Sequence, residues 1–185
     1  MITYELIKEM QLKHADIVVD ETSPRYRRAT TNMIATTQLC EDILKLLPEN
    51  FSKDSLGVVY ATEFGEITSS ADYLLHLKRD KMSKPILFQN SLHNSTLGFT
   101  SIELKLTGPC ITVSAGKKMN EGILHTVNAL FVICDYVLIC RSDSVPKSHA
   151  AYYNYSFADV AENFNKTTVQ LYKKNQIQMP NQRAL

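Results

Sequence analysis

The sequence predicts an α/β fold in which helices cover both faces of a mixed, mostly parallel sheet, giving αβα layers. Three runs, Leu56–Ala61, 111–113 and 136–140, are apolar and partly β-branched, which is typical of strands buried on both faces. Segments with apolar residues at steps of three and four lie before and between these runs. Strands that alternate with helices indicate βαβ units and therefore parallel pairing.

A first amphipathic helix is predicted over residues 25–47, and Pro48 ends it because a proline ring is incompatible with a helix interior. Its apolar and small residues are Ala29, Met33, Thr36, Cys40, Ile43, Leu44 and Leu47. Residues 1–20 mix apolar and charged positions without a clean period. A short helix and an edge strand are both open there.

Three further helices are predicted after the first strand. Residues 69–78 have an apolar side that is formed by Ala71, Leu74, Leu75 and Leu77. A weaker pattern over residues 88–106 predicts a helix that Asn90 or Ser91 caps and that ends before Gly108. Residues 117–132 form a helix whose apolar positions are Ile123, Val127, Leu130 and Phe131.

The length of 185 residues fits one α/β domain, which we assign to residues 1–175. A last helix is predicted over residues 157–174. Residues 176–185 are rich in glutamine and asparagine, so we expect a disordered tail there.

The charge balance gives no general electrostatic reason to bind nucleic acid or a membrane surface, because 20 basic residues face 19 acidic ones. The longest apolar run, residues 129–140, contains Asp135 and is too short to span a bilayer. The first residues lack the pattern of a signal peptide. We therefore expect a cytoplasmic protein.

The residues that could hold a metal or cofactor are scattered. Four cysteines lack any CxxC spacing and are expected to be buried free thiols. The five histidines have no metal-like spacing, and the six glycines form no phosphate-binding pattern. The sequence therefore predicts neither a metal nor a cofactor.

Several short motifs follow one another in a fixed order. They are Ser23-Pro24-Arg25-Tyr26-Arg27-Arg28, Thr62-Glu63-Phe64-Gly65-Glu66, Leu106-Thr107-Gly108-Pro109, Thr112-Val113-Ser114-Ala115-Gly116 and Cys140-Arg141-Ser142-Asp143. In this order the chain resembles the N-terminal half of a β-ketoacyl synthase. More narrowly, it is similar to the short ketosynthase-like chain length factors of aryl polyene and related fatty-acid or polyketide systems. The resemblance implies a thiolase-like half-fold.

The reactive cysteine of that family is missing at the corresponding position. In active members it follows the strand after Gly-Pro and begins a helix, whose dipole and free N–H groups favour a thiolate. Here Lys117 occupies the nucleophile position, and a shift of one residue gives Gly116 or Lys118. Cys110 lies before the strand, where we expect a packed, unactivated thiol. The family's two histidines belong to a second half that this chain is expected to lack, so we expect a non-catalytic protein.

The resemblance also implies two surfaces. The strand residues Ile111, Thr112, Val113 and Ser114 would pair with a partner across a two-fold axis. The residues that would shape the acyl pocket are Leu92, His93, Asn94, Leu97, Phe99 and Ile102. The plainer interpretation of His93 and Asn94 is a hydrogen-bonded core pair at a helix start.

These expectations leave three functions open. The main hypothesis is a subunit that pairs with an active β-ketoacyl synthase and limits the length of its acyl chain. The second is a homodimeric scaffold that binds an acyl thioester or an acyl carrier protein. The third is an enzyme with a rebuilt site, in which Lys117 takes part; otherwise Lys117 and Lys118 are solvated or meet acidic groups of a partner.

Overall fold

Residues 3–19, 24–82, 84–146 and 164–175 are described by the computed structural model, and they form a five-stranded sheet between helices. The strands are β1 (Tyr4–Lys13), β2 (Leu56–Ala61), β3 (Cys110–Val113), β4 (Tyr136–Asp143) and β5 (Lys166–Lys174). Their order in the sheet is β1-β5-β4-β2-β3. β3, β2 and β4 are parallel, whereas β5 is antiparallel to both β4 and β1. The predicted mixed α/β class is confirmed.

The helices lie on both faces of this sheet. They are α1 (Thr31–Leu44), α2 (Ile67–Asp80), α3 (Pro85–Asn90), α4 (Ser95–Glu103) and α5 (Met119–Ile133). One hydrophobic cluster joins α1 and α4 to one face, and a second joins α5 to the other. Alternate residues of β2 enter the two clusters, with Val58 in the first and Val59 in the second. Every residue of β2 is therefore buried, as its continuous apolar run predicted.

The first helix is shorter than predicted because its start is set by a cap. The Thr30 hydroxyl accepts a hydrogen bond from the Met33 amide at 3.3 Å, and the Met33 thioether accepts one from the Thr30 amide at 3.4 Å. This reciprocal contact is a variant of the capping box. Arg25 lies before the cap, in a separate 3-10 turn (Pro24–Tyr26).

The N-terminal segment is a strand, and a β-bulge explains why its sequence lacks a period. The register between β1 and β5 shifts between Leu6 and Lys8. A bulge puts one extra residue into the strand, so the alternation of apolar and polar positions is interrupted. Met10 and Leu12, which follow the bulge, pack against the first cluster.

The predicted helix over residues 157–174 is wrong in its described part, where residues 166–174 form β5. Thr167, Val169 and Leu171 are buried and alternate with more exposed residues. A period of two is the pattern of a strand with one face on the core. The start of that predicted helix and the predicted tail, 176–185, lie outside the described residues.

The predicted helix over residues 88–106 is two helices, α3 and α4, joined by a turn. The proposed caps are wrong, because the Asn90 amide group donates to the Arg28 carbonyl at 3.0 Å and the Ser91 hydroxyl donates to the Phe88 carbonyl at 2.7 Å. Asn94 stands at the N-cap of α4 without a side-chain capping bond.

The helix α2 begins and ends within two residues of its prediction, but its apolar side is exposed. Leu74 is 61% exposed and Leu75 is 64% exposed, and Ser69 alone is buried among its described side chains. No helix in the described residues is both long and apolar enough to cross a membrane.

Candidate functional site

The carboxyl ends of the parallel strands β2, β3 and β4 meet at one side of the sheet, where open α/β sheets commonly bind ligands. A cavity of about 500 Å³ lies beside the ends of β2 and β4 and the turn before α5. Its charged lining residues are Glu63, Lys117, Arg141, Asp143 and Lys166. Lys117, which the family resemblance predicts at the position of the reactive cysteine, lines this cavity.

Lys117 lies in a 3-10 turn (Gly116–Lys118) that leads directly into α5. Gly116 has a φ of 50°, a left-handed conformation that glycine adopts without a steric cost. Lys117 and Lys118 are both exposed. A lysine nucleophile is activated by desolvation or by another cation in a pocket, and exposure of Lys117 removes the first of these means.

The cysteines of the described residues do not reach this cavity. Cys110 begins β3, about 10 Å from the other end of that strand at 3.3 Å per residue. Its thiol is half-buried and faces the Gly108 carbonyl at 3.6 Å, and burial raises its pKa. Cys40 and Cys140 touch at 3.5 Å between sulfurs inside the core, and Cys134 is also buried. The prediction of buried, free thiols is confirmed for Cys40, Cys134 and Cys140, whereas Cys110 is only half-buried.

Asp143, at the end of β4, holds the loop that follows β2. Its carboxylate accepts hydrogen bonds from the Thr62 hydroxyl at 2.6 Å, the Phe64 amide at 2.9 Å and the Glu63 amide at 3.0 Å. Burial raises the pKa of Asp143, and the hydrogen bonds from Thr62, Glu63 and Phe64 oppose that shift. The Asp143 carboxylate therefore has a structural role, because it holds residues 62–64 in place at the rim of the cavity.

Glu66 is a second buried carboxylate and is 4% exposed. Its Oε1 accepts hydrogen bonds from the hydroxyls of Thr30, at 3.0 Å, and Thr96. Burial raises the pKa of Glu66, the hydrogen bonds from Thr96 and Thr30 oppose that shift, and the charge of Asp143 adds to it. No described lysine, arginine or histidine forms an ion pair with Glu66.

The sequence missed the roles of Asp143 and Glu66 because their partners are distant along the chain. The signal for Asp143 was its place at the end of a buried parallel strand, beside the loop that follows the neighbouring strand β2. Glu66 gave no comparable signal, since the threonines that bind it belong to α4 and to the N-cap of α1.

A second cavity, of about 570 Å³, lies between α3, α4 and the turn before α1. Four residues of the predicted acyl-pocket set line it: Leu92, Asn94, Phe99 and Ile102. His93 and Leu97 do not; Leu97 is buried against the sheet. The His93 ring lies so close to Gly65 that a Cβ there would be 2.9 Å from it.

The plainer interpretation of His93 and Asn94 as a buried, hydrogen-bonded pair is wrong, since both are exposed. Metal binding has no structural support in the described ranges, because no three His, Cys, Asp or Glu side chains come together there in a suitable group.

The strand β3 is one edge of the sheet. The Pro109 carbonyl accepts a hydrogen bond from the Val58 amide of β2 at 2.9 Å. The Val113 carbonyl accepts one from the Thr62 amide, just after β2, at 3.1 Å. Backbone groups alternate in direction along a strand, so those of Cys110 and Thr112 point away from β2. Ile111 is 39% exposed at this edge.

The mixed sheet with parallel strands β3, β2 and β4, together with the strand-turn-helix at Lys117, defines a thiolase-like α/β domain. The sequence pattern of the β-ketoacyl synthase N-terminal domain matches residues 28–181, which is most of the chain. The chain therefore belongs to the family of β-ketoacyl synthase N-terminal domains. A comparison with curated proteins gives no match.

Solved structures share this fold at low sequence identity. A ketosynthase in complex with its chain length factor, from Xenorhabdus doucetiae, matches with a TM-score of 0.73 and 16% identity over 95% of this chain and 80% of the other. The ishigamide ketosynthase/chain length factor matches with a TM-score of 0.56 and 18% identity, over 72% and 39% of the two chains. A type II polyketide synthase acyl-carrier protein in complex with its ketosynthase gives a TM-score of 0.63, 13% identity, and 85% and 51% coverage. This chain thus spans only about half, or less, of the last two relatives.

Proposed function

We propose that this chain is a non-catalytic, cytoplasmic ketosynthase-like subunit. It pairs with an active β-ketoacyl synthase and shapes the acyl pocket of that partner, in fatty-acid, aryl polyene or polyketide biosynthesis. The observation that supports the proposal is the turn before α5, which contains the exposed Lys117 and no cysteine. A subunit with this turn depends on a partner for the condensation chemistry.

The two edges of the sheet differ in a way that supports pairing through β3. β1 carries exposed charges at Glu5, Lys8 and Glu9 and contains a bulge, both of which discourage strand addition. β3 has no charged residue, and its outward backbone groups and Ile111 are open to a partner. An unprotected, partly apolar edge favours a second strand.

The solved relatives also support a subunit role. The chains matched in the Xenorhabdus doucetiae and ishigamide structures both come from complexes of a ketosynthase with a chain length factor. In such a complex, Phe99 and Ile102 of α4 would limit the acyl chain by filling volume, because packed apolar walls tolerate few extra methylenes.

The test is a variant of the edge strand. Ile111→Lys places a charge at the centre of the proposed contact. We expect this variant to reduce the recovery of a co-purifying ketosynthase by about tenfold or more, because an unpaired charge buried in an interface costs several kcal/mol. The tagged chain would be purified from its native cells, and the ketosynthase, with its own active-site cysteine, would be identified and quantified by mass spectrometry.

The matched control is Leu6→Lys, which adds the same charge at the opposite edge and is expected to keep the partner. Thr112→Pro is a second variant, because it removes an outward N–H while leaving the bonds to β2 in place. Absence of any ketosynthase with the wild-type chain would contradict the proposal. If the wild-type chain instead forms a dimer by itself that Ile111→Lys dissociates, the homodimeric scaffold for acyl thioesters or acyl carrier protein is favoured.

Lys117→Ala separates these functions from an enzyme with a rebuilt site. We expect the free energy of unfolding of the variant to lie within about 0.5 kcal/mol of that of the wild-type chain, because the Lys117 side chain is exposed. Incubation with an acyl thioester is expected to leave no acyl adduct on either protein, as measured by intact mass. An adduct on the wild-type chain that disappears in Lys117→Ala would support a thioesterase or acyltransferase and overturn the non-catalytic assignment.

A further inference from the structure

The strands β2 and β3 lead the chain to opposite faces of the sheet. The connection after β2 continues to α4, which packs on the first hydrophobic cluster, whereas β3 is followed by α5, which packs on the second. Where neighbouring parallel strands diverge in this way, a crevice opens beyond their carboxyl ends, and open α/β sheets bind ligands there. The cavity of about 500 Å³ lies at this place, between Glu63 after β2 and Lys117 after β3.

Polar side chains of β4 and β5 line the same cavity. Side chains alternate between the two faces of a strand, so Arg141 follows Ile139 on the face that α5 covers. Asn120, in the first turn of α5, accepts a hydrogen bond from the Arg141 guanidinium at 3.0 Å. Thr168 of β5 is directly opposite Arg141 in the register and therefore shares its face. A positioned guanidinium group and a hydroxyl group thus lie side by side in the cavity.

The charges that line the cavity are not balanced within it. The carboxylate of Asp143 is directed into the loop after β2, from which it accepts its hydrogen bonds, and its cross-strand neighbour Lys166 has the opposite charge. Lys117 and Arg141 then face the exposed Glu63 alone. No ion pair between described residues includes Lys117. The cavity therefore has positive charge available for an anionic ligand.

We propose that this cavity binds a phosphate group. The Arg141 guanidinium presents a planar fork of N–H donors to phosphate oxygens, Lys117 adds a flexible point charge, and the Thr168 hydroxyl offers a further donor. The volume of about 500 Å³ is in the range of small-molecule sites, which favours a phosphate monoester over the free ion. Glu63 and Asn120 also line the cavity and can bond to hydroxyl groups of such a molecule. This binding is non-covalent and goes beyond the subunit role proposed above.

The experiment is calorimetric titration of the full chain with glucose 6-phosphate and, separately, with inorganic phosphate. We expect saturable binding of at least one probe. Arg141→Gln is expected to lower the affinity by about tenfold or more, because it loses charge-assisted hydrogen bonds to phosphate oxygens. The affinity is also expected to fall as the salt concentration rises, since salt screens exposed charges. Tighter binding of glucose 6-phosphate points to a phosphate monoester, and equal or tighter binding of inorganic phosphate points to the free ion.

The matched variants are neighbours in one turn. Lys117→Gln removes a cation that lines the cavity, and we expect it to weaken binding by about two- to fivefold, as for other exposed charge pairs. Lys118→Gln removes an exposed cation that does not line the cavity, and we expect it to bind as the wild-type chain does. Both side chains are exposed, so neither variant is expected to disturb folding. This pair therefore decides the proposal even if Arg141→Gln is unstable.

Several outcomes would overturn the proposal. They are no binding of either probe at millimolar concentration, binding of neutral glucose as tight as that of glucose 6-phosphate, and equal affinities in Lys117→Gln and Lys118→Gln. An Arg141→Gln protein that is folded by circular dichroism and binds as tightly as the wild-type chain would also overturn it. Co-purification of a ketosynthase is a separate readout, so failure here leaves the subunit proposal standing.

Discussion

Replacing Gly108 by alanine is expected to lower the free energy of unfolding by about 3 kcal/mol or more, the upper range for overpacking. A Cβ at this position would lie 2.1 Å from the Leu56 carbonyl oxygen and 2.9 Å from that of Lys53. Both are backbone atoms, one in the first residue of β2 and one in the turn before it, so neither can rotate away as a side chain would. Urea unfolding followed by circular dichroism measures the loss.

The control for Gly108→Ala is Gly98→Ala, because a Cβ at Gly98 has no neighbour within 4 Å. Gly98 lies inside α4, where alanine is favoured over glycine by about 0.5 to 1 kcal/mol. We therefore expect Gly98→Ala to be more stable than the wild-type chain. A Gly108→Ala protein as stable as the wild type would mean that the turn before β2 moves freely, contrary to the packing described above.

Replacing Glu66 by glutamine is expected to stabilise the fold at neutral and higher pH and to have little effect in acid. Burial raises the folded-state pKa of Glu66 above its unfolded value, so protonation favours the folded chain. The stabilising contribution is complete below the unfolded-state pKa and is lost as the pH rises through the raised pKa. Glutamine keeps an oxygen that accepts from Thr30 and Thr96 but never ionises.

The measurement is the free energy of unfolding of both proteins across a range of pH. Their difference is expected to grow with pH, by about 1.4 kcal/mol for each unit that separates the unfolded-state from the folded-state pKa. Glu121→Gln is the control for the removal of one carboxylate, since the Glu121 side chain is exposed and lies 4.0 Å from Lys118. A constant difference between Glu66→Gln and wild type across the range would contradict the role assigned to the buried charge.

The sequence predicted well those elements whose burial can be inferred from the local pattern of apolar residues. β2 and α5 are packed in the core along their length, so an apolar run and a three-to-four spacing were sufficient to recognise them. β5 was missed although Thr167, Val169 and Leu171 alternate, because the lysines, glutamine and leucine of this segment are also good helix formers. β1 was left open because its bulge breaks the period.

The candidate site was only partly predictable for a different reason. The position of Lys117 follows from local order, a strand followed by a turn and a helix. The grouping of Leu92, Phe99 and Ile102 with Arg27 and Arg28 depends on how α4 packs beside the turn before α1, which no local pattern contains. The family resemblance supplied α4 as an acyl-pocket helix but not the arginines.

The position of β5 between β4 and β1 has a consequence for synthesis on the ribosome. Tyr4 pairs with Lys174 and Lys13 pairs with Lys166, so β1 meets its neighbour only after more than 150 further residues have been synthesised. Until then the nascent chain presents β4 with an open side and β1 without any partner. Contacts so distant along the chain slow folding, and unpaired strands favour aggregation. Pairing of β1 with β5 is therefore a late step in the folding of this protein.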